Sequence, residues 1–294
     1  MDEQAEPRSP KPRRKTNWRR LATVALAFVI GGVAVYLTGV AERLFYFPSR
    51  GEVGPPPPNA EAVWIERDDG PTLHAWFFKP PSANAGTPLP TIVHCHGNAG
   101  NIARHSVFVE FLPAAGFNVL LFDYRGYGES EVAPPRRAGL IADARAAIDH
   151  VAGREDVDAD RIGMYGLSLG GTIGLAAAAK DERIKAVCSV ATFSTWPAVA
   201  SDFAGPLGSV LIARGADAID SAAALGDRPL LLIHSRDDEI VSYRHAPILL
   251  EAAKAADINA ELLTFEGIGH VDWVDREPAM REAIIAFFLR ELGE

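Results

Sequence analysis

The sequence predicts an α/β protein: a mostly parallel sheet of eight strands with helices on both faces and a small cap or none. Three observations predict it. From about residue 62 onwards, short runs of apolar and β-branched residues alternate with helix-like segments. That alternation is the signature of strand–helix–strand units and a covered sheet. A serine set between glycines, Gly166-Leu167-Ser168-Leu169-Gly170, joins one such run to an Ala- and Gly-rich segment. And 294 residues with 48% hydrophobic content can fill one sizeable core.

The elements follow in order. Ala62 to Arg67 and Leu73 to Lys79 flank Asp68-Asp69-Gly70 and read as a hairpin at one sheet edge. Thr91 to His96 is a strand, followed by a helix expected from about Ile102 to Ala115. Asn118 to Phe122 is a strand. Leu140, Ile141, Ala144, Ala147, Ile148 and Val151 recur at spacings of three and four, which makes an amphipathic helix. Ile162 to Tyr165 precedes the glycine-flanked serine, and Thr172 to Lys180 follows it as a helix. Ile184 to Val190 and Leu230 to His234 are buried-type strands. A helix from Tyr243 to Ala256, a last strand from Ala260 to Phe265 and a closing helix from Asp275 to Leu292 complete the body. Pro278 suits the first turn of that closing helix. Thr192 to Arg228 is short and poor in large apolar residues, enough for a small cap.

The chain ahead of this body has its own logic. Residues 1–20 carry seven Lys/Arg and three Asp/Glu, a net +4, so a total of −9 leaves −13 for the rest. An acidic body excludes a nucleic-acid partner, because a phosphate backbone needs basic surface. The basic head is a tail that directly precedes Leu21 to Val40, twenty residues without a charge. As a helix they span about 30 Å, the thickness of a bilayer core. Trp18 and Tyr36 stand near the two ends, where rings favour the interface. The expectation is a single-pass membrane anchor at residues 21–40, with the N-terminus cytoplasmic and the body on the periplasmic or lumenal side. Gly39-Val40-Ala41 leaves a cleaved leader as the alternative. Residues 41–60 read as a linker, with Pro55 to Pro58 forming a stiff spacer. Residues 61–294 form the catalytic domain. Two cysteines, Cys95 and Cys188, lie in strand-like runs and read as free core thiols.

The chemistry starts at Ser168. A strand, sharp turn and helix around Gly-x-Ser-x-Gly push the hydroxyl out above the sheet. A neutral hydroxyl is a weak nucleophile and needs a base, and the base needs an orienting acid. In chain order, acid then histidine should follow. The strand ending at His234 runs into Ser235-Arg236-Asp237-Asp238-Glu239, and the strand ending at Phe265 runs into Glu266-Gly267-Ile268-Gly269-His270. His270 is the base. Asp238 is the preferred acid, with Asp237 as fallback. The oxyanion hole takes the N–H of Leu169 and, from the loop His96-Gly97-Asn98-Ala99-Gly100-Asn101, the N–H of Asn98. Asn101 doubles as an N-cap for the helix after it. His94, Cys95 and His96 raise a metal reading, but no third ligand has local spacing, so His96 is taken as a brace for its loop. No metal and no cofactor are needed.

These residues resemble the landmarks of the α/β-hydrolase superfamily: His96 to Asn101, Asp123-Tyr124-Arg125-Gly126-Tyr127-Gly128-Glu129-Ser130, Gly166 to Gly171, and Gly267 to His270. The resemblance covers about residues 44 to 292. The His-Gly-Asn-Ala-Gly-Asn form is similar to a branch with membrane-tethered members, including serine-aminopeptidase-like hydrolases and eukaryotic enzymes that remove palmitate from protein cysteines. Leu44 to Pro48 resembles the stretch that opens the fold in that branch. One departure is Ser235, where the family's acid loop carries glycine. The resemblance implies a serine hydrolase that cleaves an ester or thioester of a small-molecule or lipid acyl substrate. A peptidase on the same fold is the alternative, with Glu129 as the candidate acidic clamp for a substrate amine. A non-catalytic, membrane-tethered binding module is a third reading.

Overall fold

The structure, a computed structural model, describes residues 45–81, 87–272 and 277–293, with scattered positions between 18 and 43. Eight strands build one sheet: β1 (Ala60–Ile65), β2 (Leu73–Phe78), β3 (Leu89–Cys95), β4 (Asn118–Phe122), β5 (Val157–Leu167), β6 (Ile184–Val190), β7 (Leu230–Ser235) and β8 (Ala260–Phe265). Their order across the sheet is β8-β7-β6-β5-β3-β4-β2-β1. β1 and β2 pair antiparallel, β2 meets β4 antiparallel, and every other pair is parallel. The hairpin expected at the edge is there.

Alternation along each strand feeds two cores, one on each face. Phe77, Val93, Cys95, Leu120 and Phe122 enter one, while Trp76, Phe78, Ile92, Val119 and Leu121 enter the other. Period-two side chains on a sheet covered on both sides give this pattern. Cys95 and Cys188 fall in opposite cores and are both free thiols.

Among the described residues the helices of the body are α1 (Ile102–His105), α2 (Arg137–Ala152), α3 (Leu169–Ala178), α4 (Trp196–Leu211), α5 (Ala218–Ala222), α6 (His245–Ala255) and α7 (Pro278–Leu292), and a helical turn, Val40–Arg43, precedes the body. The expected helix from Ile102 to Ala115 is a correction: α1 is one turn, followed by 3₁₀ turns at Ser106–Phe108 and Pro113–Ala115. Gly116 ends the run at φ 99°, a left-handed value suited to glycine. Asn101 does not cap α1 with its side chain; Asp123 Oδ1, from the end of β4, accepts the Ile102 N–H at 3.0 Å instead. The small cap is α4, bent at Gly205 (φ 62°) before Pro206, followed by α5.

Residues 47–53, read as linker, lie on the body. Phe47–Pro48 pairs in parallel with Ala99–Gly100, and the buried Val53 donates its N–H to Glu129 Oε1 at 3.0 Å. Among the described residues no helix is long and apolar enough to cross a membrane. Of the anchor expected at residues 21–40, fourteen of the twenty positions, Gly39 among them, lie outside the described residues.

Candidate active site

Ser168 sits between β5 and α3 with φ 56° and ψ −117°, a backbone conformation rare outside glycine. Its neighbours make room. A Cβ on Gly166 would come within 2.5 Å of Gly170 O, one on Gly170 would overlap the carbonyl oxygens of Cys95 and His96, and one on Gly171 would strike Thr192 Oγ1. The Ser168 N–H is held by Val190 O at 2.8 Å. The residue occupies the N-cap position of α3, yet its hydroxyl caps no amide. It is left for other work.

The acid and histidine come together from the ends of β7 and β8. His270 Nδ1 donates to Asp238 Oδ2 at 2.8 Å. Asp238 Oδ1 accepts the N–H groups of Ile240 (2.9 Å) and Val241 (2.8 Å), and His234 Nε2 lies 3.2 Å from Oδ2. Burial alone would raise this carboxyl; the bonds from His234 and His270, with the Val241 N–H, outweigh it and hold Asp238 well below the usual carboxylate range. An ionised carboxylate only accepts, so Nδ1 of His270 carries a proton, and in the neutral ring the lone pair falls on Nε2. The two competing acids are engaged elsewhere. Asp237 Oδ2 takes the Gly267 N–H at 2.7 Å, and Glu239 Oε2 the backbone N–H of His270 at 3.3 Å.

Ser168 and His270 line one cavity of about 670 Å³, with Phe45, Phe47, Phe108, Leu167 and Phe203 as its aromatic and aliphatic walls. Gly97, Asn98 and Ala99, from the loop after β3, line it too. Leu169 opens α3, so its N–H belongs to the first turn, which has no intrahelical carbonyl to meet. The Asn98 side chain does something the sequence does not announce. Its Nδ2 donates to Phe45 O, while Oδ1 accepts from Phe47 N and Tyr127 Oη, each at 3.2 Å. The loop that would carry the oxyanion donor is thereby tied to the chain entering the domain.

Two further roles escape the sequence. His105 Nε2 bonds Ala99 O at 2.7 Å and its ring stacks on His96, centroids 4.9 Å apart. Burial, then the neighbouring His96, lowers His105 to about 3, so it is a neutral brace near neutral pH. His96 bonds Gly97 O through Nδ1 at 2.7 Å, consistent with the expected bracing. The second is Ser235, the departure from the family pattern. Its Oγ donates to Ile268 O at 2.6 Å and accepts the Asp237 N–H at 3.2 Å, linking the acid loop to the histidine loop. Glu129 is a correction: its Oε1 accepts the Val53 N–H at 3.0 Å and it does not line the cavity, where Arg104 is the one Asp, Glu, Lys or Arg among the described residues. Among the described residues no group of three His, Cys, Asp or Glu side chains is placed to hold a metal ion.

A doubly covered parallel sheet with serine at the β5–α3 turn and an Asp–His pair at the following strand ends defines the α/β-hydrolase class of protein. The comparisons agree. Residues 90–211 match the alpha/beta hydrolase fold family. The chain is 33% identical to protein YfhR of Escherichia coli over 280 residues, 94% of this chain and 97% of that one. It is 31% identical to the alpha/beta hydrolase domain-containing protein WAV2 of Arabidopsis thaliana, across 83% of this chain and 85% of the relative. The fold is shared with an esterase of Pyrococcus furiosus (TM-score 0.70, 22% identity, 85% of this chain and 99% of that chain). It is shared too with an acylaminoacyl peptidase of Pyrococcus horikoshii (TM-score 0.64, 18% identity, 80% of this chain and 42% of that chain). The chain belongs to the alpha/beta hydrolase family.

Proposed function

We propose that the protein is a serine hydrolase that cleaves carboxylic esters or thioesters through Ser168, His270 and Asp238. The supporting observation is the 2.8 Å bond from His270 Nδ1 to Asp238, in a histidine that shares an apolar cavity with Ser168. His270 Nε2 takes the Ser168 proton as Oγ bonds to the acyl carbon. The carbonyl oxygen becomes an oxyanion held by the N–H groups of Leu169 and Asn98. The tetrahedral centre collapses, the bond to the leaving alcohol or thiol breaks, and the imidazolium returns the proton to it. Water repeats the cycle on the acyl-enzyme and frees the acid. Asp238 stabilises the imidazolium throughout. No cofactor takes part.

The largely apolar cavity walls favour an acyl chain or ring over a charged group. They weigh against an aminopeptidase, which needs a carboxylate for the substrate amine where the cavity offers Arg104. The proposal includes the membrane anchor at residues 21–40, with the catalytic domain on the outer side. A fluorophosphonate probe tests the chemistry: covalent labelling of folded protein that vanishes in Ser168→Ala is expected. An unlabelled but folded parent protein, or preferred cleavage of amino-acid anilides over acyl esters, overturns it.

A further inference from the structure

The mouth of the cavity carries an unusual surface. Phe47, Phe203, Ile240 and Val271 line the cavity and are also exposed, Phe47 by 63% and Phe203 by 61%. Beyond them on α4 stand Leu207 and Val210, exposed by 65% and 67%. The sixteen residues of α4 hold one charge, Asp202, and Arg244 Nη2 and His245 Nε2 (2.9 Å) both bond it. The outer side of α4 is thus apolar and without a free charge. Exposed apolar side chains gathered at the rim of a site mark an interaction surface.

The chain itself indicates what covers it. The uncharged stretch Leu21 to Val40 ends five residues before Phe45. Five Cα steps reach at most about 18 Å even when fully extended. The approach is also pinned. Glu42, in the helical turn Val40–Arg43, accepts from Tyr46 Oη (3.0 Å) and from the Arg137 N–H (2.7 Å). Phe45 then packs edge-on against Trp196 and Phe203 of the cap, ring centroids 5.8 and 6.2 Å away. The point where the apolar stretch ends is fixed beside the cavity mouth. Arg104, the cation lining the cavity, forms no ion pair with a carboxylate among the described residues and is free for a lipid phosphate.

We propose that the cavity mouth, with α4, rests on a lipid bilayer, and that the substrate's acyl chain enters from the membrane. This rests on the anchoring put forward above. It makes the substrate class an acyl ester or thioester resident in a bilayer, its tail passing between Phe47 and Phe203 and its carbonyl reaching Ser168.

The test uses the full chain in phosphatidylcholine–phosphatidylglycerol vesicles. Leu207→Cys carries an environment-sensitive nitrobenzoxadiazole label; the native thiols are buried. Val132→Cys, at another exposed site, is the control. Lipid with brominated tails should quench the label at position 207 by about twofold and leave position 132 unchanged, as for a side chain in the acyl boundary. The double variant Leu207→Ser/Val210→Ser should lose about tenfold in turnover of a vesicle-borne long-chain ester and keep its turnover of a short soluble ester. A label at 207 that stays in water while the protein floats with vesicles overturns the inference and leaves the anchor standing. Protein that does not float overturns the anchor beneath it. Burial of the label without lipid, growing with protein concentration, assigns the face to a second copy and overturns the inference too.

Discussion

Asp238→Asn is the sharpest perturbation of the proposed machinery. The parent carboxylate meets four donors: His270 Nδ1, His234 Nε2 and the N–H groups of Ile240 and Val241. The two backbone donors point at one oxygen, so an amide keeps its carbonyl there. Its NH₂ then occupies the position of Oδ2 and faces His270 Nδ1 at about 2.8 Å. An NH₂ cannot accept, so Nδ1 must, and the ring proton moves to Nε2. The base facing Ser168 has lost its lone pair. A wrong tautomer of this kind costs about 10⁴-fold in kcat, or about 5 kcal/mol of transition-state stabilisation. The fold should survive, because the backbone bonds remain and His234 Nε2 still has Val241 O at 2.8 Å. One altered buried hydrogen bond costs about 1–3 kcal/mol. The assay is turnover of a soluble acyl ester and the rate of fluorophosphonate labelling, with thermal melts to certify the fold. The sign with pH is also set. The folded carboxyl titrates below its unfolded value, so its stabilisation is full above about pH 4. It fades as pH falls through the depressed folded value. The gap in Tm between parent and variant should narrow in that acid range. A folded variant that labels within about tenfold of the parent rate refutes the role of Asp238, and Asp237→Asn and Glu239→Gln then become the variants to compare.

Two other perturbations separate packing from chemistry. Gly170→Ala drives a Cβ into the carbonyl oxygens of Cys95 and His96, which are backbone and cannot swing aside; a loss of about 3 kcal/mol or more is expected in denaturant titrations, and a parent-like midpoint would contradict the packing. Asp123 is fully buried, and desolvation pushes its carboxyl up to about 8 against the Ile102 N–H and His74. Its folded value lies above its unfolded one, so its contribution is present below about pH 4 and lost as pH rises towards 8. Asp123→Asn, which keeps an acceptor for Ile102, should therefore gain Tm relative to the parent as pH rises from about 4 to about 8; a constant difference across that range would refute a titrating Asp123.

The strands were legible because burial on both faces leaves continuous apolar runs, as in Leu230 to Ser235. The pairing of Asp238 with His270 was legible because strand ends deliver residues to one edge of the sheet, and Asp238 falls there even with Ser235 in the glycine position. Residues 102–115 were misread for a physical reason. Ile102, Phe108, Val109 and Leu112 are all buried, as helix spacing requires. Yet short turns bury the same residues while bending around the His96–Asn101 loop, and spacing alone does not separate the two. The cap on Ile102 was invisible because Asp123 lies 21 residues away and arrives through the sheet. The Asn98 side-chain contacts to Phe45 and Phe47 were hidden likewise, since their partners lie about fifty residues earlier in the chain.

The strain at Ser168 and the shape of the proposed oxyanion hole have one origin. A serine at φ 56° costs about 1–3 kcal/mol and persists only where its surroundings over-determine it. Here the surroundings are the close approach of α3 to β3. Gly170 sits against the carbonyls of Cys95 and His96, and Tyr124 Oη donates to that same His96 carbonyl at 3.1 Å. The contact that forces the tight turn also locks the His96–Asn101 loop to the first turn of α3. The amides of Leu169 and Asn98 are thereby carried on one rigid unit, and neither has to reorganise as charge develops. A larger residue at 170 would relax the serine and part the two amides in the same movement. Loss of catalysis and release of backbone strain should therefore appear together in any variant that opens this contact.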